Sequence, residues 1–167
     1  MYLKKNKNFG CKIEYSVEKN PLGTAGAIRN AIKNLSDESF LVINGDIITN
    51  IDLKKILKKP NTIAANELKT KFGTMEIKNN RILKFNEKTD VQNVWMNPGL
   101  YHSSTGILKI LPRRGSLESE IFPKLAKNKS LHTVKFKNVL WHSIDSFKDI
   151  ELSSQEINSK KYQKFFK

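Results

Sequence analysis

The residues best placed to do chemistry in this chain of 167 amino acids stand at the end of one short apolar run. Phe40-Leu41-Val42-Ile43 follows Ser39 and stops abruptly at Asn44-Gly45-Asp46. A run this rich in β-branched and aromatic types predicts a short strand buried on both faces, as at the centre of a parallel sheet. Ligands of open α/β sheets bind at the carboxyl end of such strands. A carboxylate there, beside a glycine that lets another group come close, suits a hard divalent cation carrying phosphates. Asp46 serves equally as a plain turn residue, because Asp is common in turns. The strand end alone leaves both roles open.

Other reactive side chains point to nothing comparable. His102 falls in a strand pattern and reads as a satisfied core or edge residue, and His132 as a surface one. His142 has no second histidine or carboxylate at zinc spacing. Neither Ser104 nor Ser143 reads as a nucleophile. Trp95 and Trp141 read as packing residues. Cys11 is the single cysteine, which excludes an intrachain disulfide and thiolate metal clusters.

Composition narrows the classes further. With 30 Lys and Arg against 16 Asp and Glu, the formal charge is 30 − 16 = +14, and 38% of residues are hydrophobic. The lysines are spread along the chain without an aromatic platform between them. They read as a basic surface that favours phosphorylated ligands, and no nucleic-acid partner is expected. A nucleic-acid-binding reading rests on the charge alone and predicts a steep salt dependence. No apolar run approaches the roughly 18 residues needed to span a bilayer, so no membrane partner is expected. The opening Met1-Tyr2-Leu3-Lys4-Lys5 has no apolar continuation of the signal-peptide kind. A soluble, cytoplasmic protein with one proper core is the expectation.

The elements that must position these residues follow from periodicity. Residues 1–9 read as a helix end or connector closed by Gly10, and Lys12–Val17 alternates as a strand does. After the turn Asn20-Pro21-Leu22-Gly23, Ile28, Ala31, Ile32 and Leu35 recur at helical spacing, with Thr24 as the expected N-cap. The strand ending at Asn44, a short helix over about Asp52–Lys58 and a strand at Thr62–Asn66 complete an alternation that predicts βαβ units and a parallel sheet. Then the pattern changes. Thr74–Lys78 and Arg81–Asn86 flank Asn79-Asn80, a good two-residue hairpin turn. Gly99–Ser103 reads as a strand, Thr105–Leu111 and Leu117–Lys127 as helical, Leu131–Phe136 and Val139–Ile144 as strands, and the chain from Ser146 as helical. The last residues, Lys160–Lys167, fit either an amphipathic helix or a basic tail.

In this order the chain resembles the sugar-nucleotide pyrophosphorylases, nucleotidyltransferases that join a sugar 1-phosphate to an NTP. Glu18–Ile28 resembles the loop and helix start that receive the nucleobase. Phe40–Asp46 resembles the strand ending in the metal aspartate. Phe72-Gly73, Phe85–Lys88 and Trp95–Gly99 resemble the sugar-phosphate half of the site, and Trp141–Ser146 the segment supplying the second metal carboxylate.

The resemblance implies a three-layer α/β/α, Rossmann-like core with a mostly parallel sheet and an antiparallel excursion after residue 66, in a domain over 1–158 followed by a basic helix or tail at 159–167. It implies Mg²⁺ held by Asp46 and Asp145 against the α-phosphate, and NTP and sugar 1-phosphate as partners. Leu22, Gly23, Thr24 and Gly45 would contact the nucleotide, with Gly26 as a weaker candidate. Lys88 would pair with the sugar phosphate. Glu87 and Asn97 would bond sugar hydroxyls where Gly99 gives room, although Asn97 could instead begin a turn with Pro98.

Departures from the family pattern set further expectations. Residues 1–22 hold nothing like the family's glycine-rich phosphate loop with its arginine. The chain is therefore expected to be an N-terminally truncated core with weak activity or none; a non-catalytic sugar-nucleotide-binding module is the alternative. An open sheet edge would then favour homo-oligomers. Asp145 lies four residues after Trp141, a spacing similar to glucose-1-phosphate cytidylyltransferases, whereas Pro21–Ile28 is more similar to guanylyl- and thymidylyltransferases. Thr89 stands where a proline is usual. Base and sugar stay open.

Overall fold

Helix-period and strand-period segments alternate through the first half of the chain and give way to strand pairs after residue 66. A computed structural model describes residues 5, 10–70, 72–87 and 90–159. Its order is α1 (Gly23–Ile32), β1 (Ser39–Ile43), β2 (Ile47–Thr49), α2 (Leu53–Ile56), β3 (Thr62–Lys69), β4 (Thr74–Lys78), β5 (Arg81–Asn86), β6 (Asp90–Met96) and β7 (Leu100–Ser104). A 3₁₀ turn (Thr105–Lys109) and a π-helical turn (Leu117–Ile121) precede α3 (Phe122–Lys127), β8 (His132–Phe136), β9 (Trp141–Ser143) and α4 (Phe147–Ile157). The expectations for residues 1–9, Lys5 apart, and for the tail from residue 160 fall outside the described residues. Two compact units share the chain: one joins the described part of Met1–Glu38 to Thr105–Ser130, the other Ser39–Ser104 to the described part of Leu131–Lys167.

In the first unit α1 packs against the 3₁₀ and π-helical turns. Ala25, Ile32, Ile107, Leu111, Leu117 and Ile121 supply its buried apolar side chains. The N-cap is Leu22 and not Thr24, with no side-chain cap bond; the Thr24 hydroxyl is committed elsewhere, as described below. Lys12–Val17 forms no strand, contrary to its alternation. It runs as exposed chain with Tyr15 and Val17 61% and 82% exposed, and none of the described strands takes up its backbone bonds.

The second unit holds the main sheet, in the order β1-β7-β3-β6 with β8 beside β3. The fold class is the mixed α/β core anticipated, but neighbouring strands are mostly antiparallel. Only β3 and β8 pair in parallel; β1 with β7, β7 with β3 and β3 with β6 are antiparallel. Strands β1, β3 and β8 do point the same way. They fail to form a continuous parallel array because β7 inserts between β1 and β3. Nor is β1 central or doubly buried: it ends the described sheet and is half-buried, with Ile43 50% exposed.

Ile51, Ile56, Ala64, Leu100 and Phe136 form the core, with Leu41, Ile47, Leu53 and Val134 packed around them. The hairpin β4–β5 turns at Asn79 and Asn80 as expected, with φ of +49° and +60°, the left-handed pair a tight two-residue turn needs. Strands β2 and β6 were not anticipated. None of the described helices is long and apolar enough to cross a membrane. Replacing the fully buried Leu100 by Ala should lower unfolding free energy by about 2–5 kcal/mol, read by urea denaturation. A loss below about 1 kcal/mol would mean that this position is not central to the core.

Candidate functional site

Two predicted carboxylates follow from the same end of a ladder of three residue pairs. Strand β2 starts directly after Asp46 and pairs antiparallel with β9, Ile47 opposite Ser143 and Thr49 opposite Trp141. The ladder continues one step further, where Ile144 N–H donates to the Asp46 carbonyl at 2.7 Å. Asp46 and Asp145 therefore leave the same end of this small sheet, both exposed. The Asp46 carboxylate has no hydrogen bond or ion pair among the described residues. Asp145 accepts the Ser143 hydroxyl on Oδ2 at 3.0 Å, and its N–H donates to Asp149 Oδ2 at 3.2 Å. Gly45 has open space where a Cβ would stand. Its neighbourhood is open to a ligand, and no neighbouring atom demands a glycine there.

Other quoted stretches are tied to the same corner. Asn44 N–H donates to the Gly99 carbonyl at 3.0 Å, and the Trp141 indole N–H to the Pro98 carbonyl at 2.9 Å. Gly99 has φ +77°, and a Cβ there would stand 2.8 Å from the Asn44 side chain. Backbone strain and Asn44 thus account for this glycine before any sugar is considered. Asn97 behaves as the turn residue anticipated as its second role: Oδ1 accepts Gly99 N–H at 3.0 Å while Nδ2 donates to the Tyr101 hydroxyl at 2.9 Å. One amide hydrogen and one lone pair stay available. Glu87 is exposed and leans towards Gly73, where a Cβ would stand 3.0 Å from its Oε2. Lys88 and Thr89 lie outside the described residues.

The expected nucleotide residues lie in the first unit, where they form a backbone latch. Gly115 N–H donates to the Leu22 carbonyl at 2.9 Å, and Ala25 N–H to the Gly115 carbonyl at 3.0 Å. Gly23, at φ +71°, passes so close to Gly115 that a Cβ would strike its carbonyl oxygen. The Thr24 hydroxyl accepts Leu117 N–H at 2.8 Å and donates to Glu118 Oε2 at 2.7 Å. Leu22 N–H is held by Glu18 Oε2 at 2.9 Å. Leu22 also lines a cleft of about 290 Å³ with Arg29, Lys33 and Arg113 among its walls.

The segment Gly115–Glu120 was missed by sequence reasoning. Its signal is the Ser116…Glu120 pattern: Ser116 Oγ accepts Ser119 N–H, and Glu120 Oε1 accepts Ser116 N–H, a capping arrangement at a helix start. His102 is a satisfied buried residue, its Nδ1 2.9 Å from the Lys59 carbonyl. His142 pairs with Glu156 at 2.7 Å. No group of three or more His, Cys, Asp or Glu among the described residues is arranged to hold a metal.

The chain and its fold have known counterparts. The nucleotidyl transferase family model matches residues 1–160, and the chain belongs to that family. It is 31% identical over 129 residues to the D-glycero-α-D-manno-heptose 1-phosphate guanylyltransferase of Aneurinibacillus thermoaerophilus, covering 71% of this chain and 56% of that protein. It is 35% identical over 156 residues to the mannose-1-phosphate guanylyltransferase catalytic subunit beta of Dictyostelium discoideum, covering 86% and 43%. The chain thus spans about half the length of these relatives. HddC from Yersinia pseudotuberculosis superposes with a TM-score of 0.68 at 25% identity, over 94% of this chain and 72% of that one. A putative glucose-1-phosphate thymidylyltransferase from Bacillus anthracis shares the fold, with a TM-score of 0.68 at 18% identity over 97% and 73%.

Thr24→Val separates scaffold from ligand roles. Loss of the Leu117 partner should cost about 1–3 kcal/mol in thermal unfolding. Unchanged stability with weakened nucleotide binding would instead make Thr24 a ligand contact.

Proposed function

We propose that the chain serves nucleotidyl transfer from an NTP to a sugar 1-phosphate, with GTP the nucleotide that the named relatives favour. The observation that carries this is the β2–β9 ladder, whose last bond, from Ile144 N–H to the Asp46 carbonyl, leaves the Asp46 and Asp145 positions at the same end of the ribbon. Two exposed carboxylates, one of them without a partner among the described residues, form a hard oxygen donor set that fits Mg²⁺. When bound, such an ion supplies charge neutralisation at the α-phosphate. A sugar-phosphate oxygen then bonds to the α-phosphorus as the bond to the β-phosphate oxygen breaks, and pyrophosphate leaves with the electron pair. This reaction asks the protein for positioning and charge, with no covalent intermediate.

In this reading Asp46 and Asp145 hold the ion, Ser143 and Asp149 fix the Asp145 segment, and Glu87 with the spare valences of Asn97 receive sugar hydroxyls. Lys88 pairs with the sugar phosphate as a mobile point charge. Leu22, Gly23 and Thr24 shape the nucleotide loop by their backbone path. The Thr24 hydroxyl is spent on Leu117 and Glu118.

Isothermal titration with GDP-mannose, with and without Mg²⁺, tests the reading. Binding should require Mg²⁺ and weaken about 10-fold or more in Asp46→Ala and in Asp145→Ala, the scale of a lost charged contact. Binding indifferent to Mg²⁺ and to both variants would overturn it. Self-association is proposed as well, since Met75, Ile77, Ile82 and Phe85 of the β4–β5 hairpin are all more than half exposed and an isolated two-stranded ribbon is marginal alone. Light scattering should show mass rising with concentration; a constant monomer mass contradicts it.

A further inference from the structure

The cleft of about 290 Å³ in the first unit runs between α1 and the chain at Leu108 and Arg113. Its two walls meet at Gly26, where a Cβ would stand 2.6 Å from the Arg113 carbonyl oxygen. Leu22 and Leu108 bring apolar surface to it, and Arg29, Lys33 and Arg113 bring charge. No Asp or Glu lines it. Gly23, Thr24 and Gly45 also lie outside its lining.

The three cations are held there without matching anions. Arg29 is half-buried and fixed by its own bonds: Nη1 donates to the Leu108 carbonyl at 2.9 Å and to the Leu111 carbonyl at 2.7 Å. A guanidinium has five N–H donors, and those on Nη2 and Nε have no acceptor among the described residues. Lys33 Nζ donates to Asn30 Oδ1 at 3.3 Å, a neutral neighbour one turn back. The Arg113 side chain is exposed and has no hydrogen bond or ion pair among the described residues. The ion pairs of the described residues all lie elsewhere. Like charges at one small opening repel one another, and an anion seated among them removes that repulsion.

The donors select the kind of anion. Two guanidinium forks and an ammonium suit a phosphoryl group, which brings three acceptor oxygens and nearly two negative charges, over a carboxylate with two oxygens and one charge. The volume is at the low end for small-molecule pockets, so it suits a small phosphorylated compound rather than a nucleoside triphosphate. We propose that this cleft is a phosphate site, distinct in its residues from the Asp46 and Asp145 pair. It takes a small phosphomonoester whose phosphoryl oxygens accept from Arg29, Arg113 and Lys33, with its carbon body against Leu22 and Leu108. The assignment stands without the transfer chemistry above.

The test is a titration of the ¹⁵N-labelled chain with glycerol 3-phosphate at constant ionic strength, following the Arg29 side-chain Nε–H and the Arg113 backbone amide. Both signals should shift together and saturate, in Asp46→Ala as in the native chain. Arg113→Gln and Lys33→Gln should each weaken binding about 10-fold, the scale of a lost charged contact. Arg114→Gln, which removes an exposed cation outside the cleft, should leave it unchanged. Sodium acetate at the same concentration should not reproduce the shifts. Absence of a saturating shift would overturn the proposal, as would an equal response to acetate. An equal loss in Arg114→Gln would do the same, by showing diffuse surface charge, and so would shifts that vanish in Asp46→Ala, by placing the phosphate at that carboxylate.

Discussion

The hydrogen bond from Ile144 N–H to the Asp46 carbonyl, 2.7 Å long, is the constraint on which the carboxylate site depends. It closes a ladder only three pairs long, and a two-stranded ribbon of that size has little stability of its own. Its anchors are lateral. Thr49 Oγ1 donates to the Leu140 carbonyl, and Leu140 N–H donates to Asn50 Oδ1. The Trp141 indole reaches Pro98, and Asn44 reaches Gly99. Ile47 lies against the same core that Leu100 and Phe136 fill. These anchors fix the backbone positions of Asp46 and Asp145, whose side chains are exposed.

A parallel device organises the first unit. The stretch Leu22–Ala25 and Gly115 exchange backbone bonds in both directions, and the Thr24 hydroxyl adds a bond from Leu117 N–H. Gly23 is required because its backbone runs against the Gly115 carbonyl at positive φ. The glycine that the sequence offers as a seat for a flat base thus first serves the scaffold. The same holds for Gly99 beside Asn44. In both places close packing alone accounts for the glycine, against the Gly115 backbone for Gly23 and the Asn44 side chain for Gly99.

The sequence was most legible where local chemistry decides structure. Asn79-Asn80 adopts the left-handed turn its type favours, and α4 starts after Ser146. It was least legible where a partner distant in sequence decides. Lys12–Val17 alternates yet pairs with none of the described strands. Phe40–Ile43 reads as central, but β7, arriving some 60 residues later, takes its place beside β3 and runs the other way. Strand β2 is three residues long and exists because β9 meets it. Of the candidate site, Asp46 and the turn role of Asn97 could be read from residue types. Asp145 entered only through likeness to a family, and the Gly115 segment became visible only through its contacts.

The central claim is that Asp46 and Asp145 act as one cation site. Paramagnetic broadening by Mn²⁺ in the amide spectrum of the ¹⁵N-labelled chain tests it most directly. Signals of Asp46, Ile47, Ile144 and Asp145 should disappear together at low Mn²⁺, while Asp145→Ala should keep all of them at the same concentration. Broadening around only one of the two carboxylates, or broadening that Asp145→Ala leaves unchanged, would contradict a shared site.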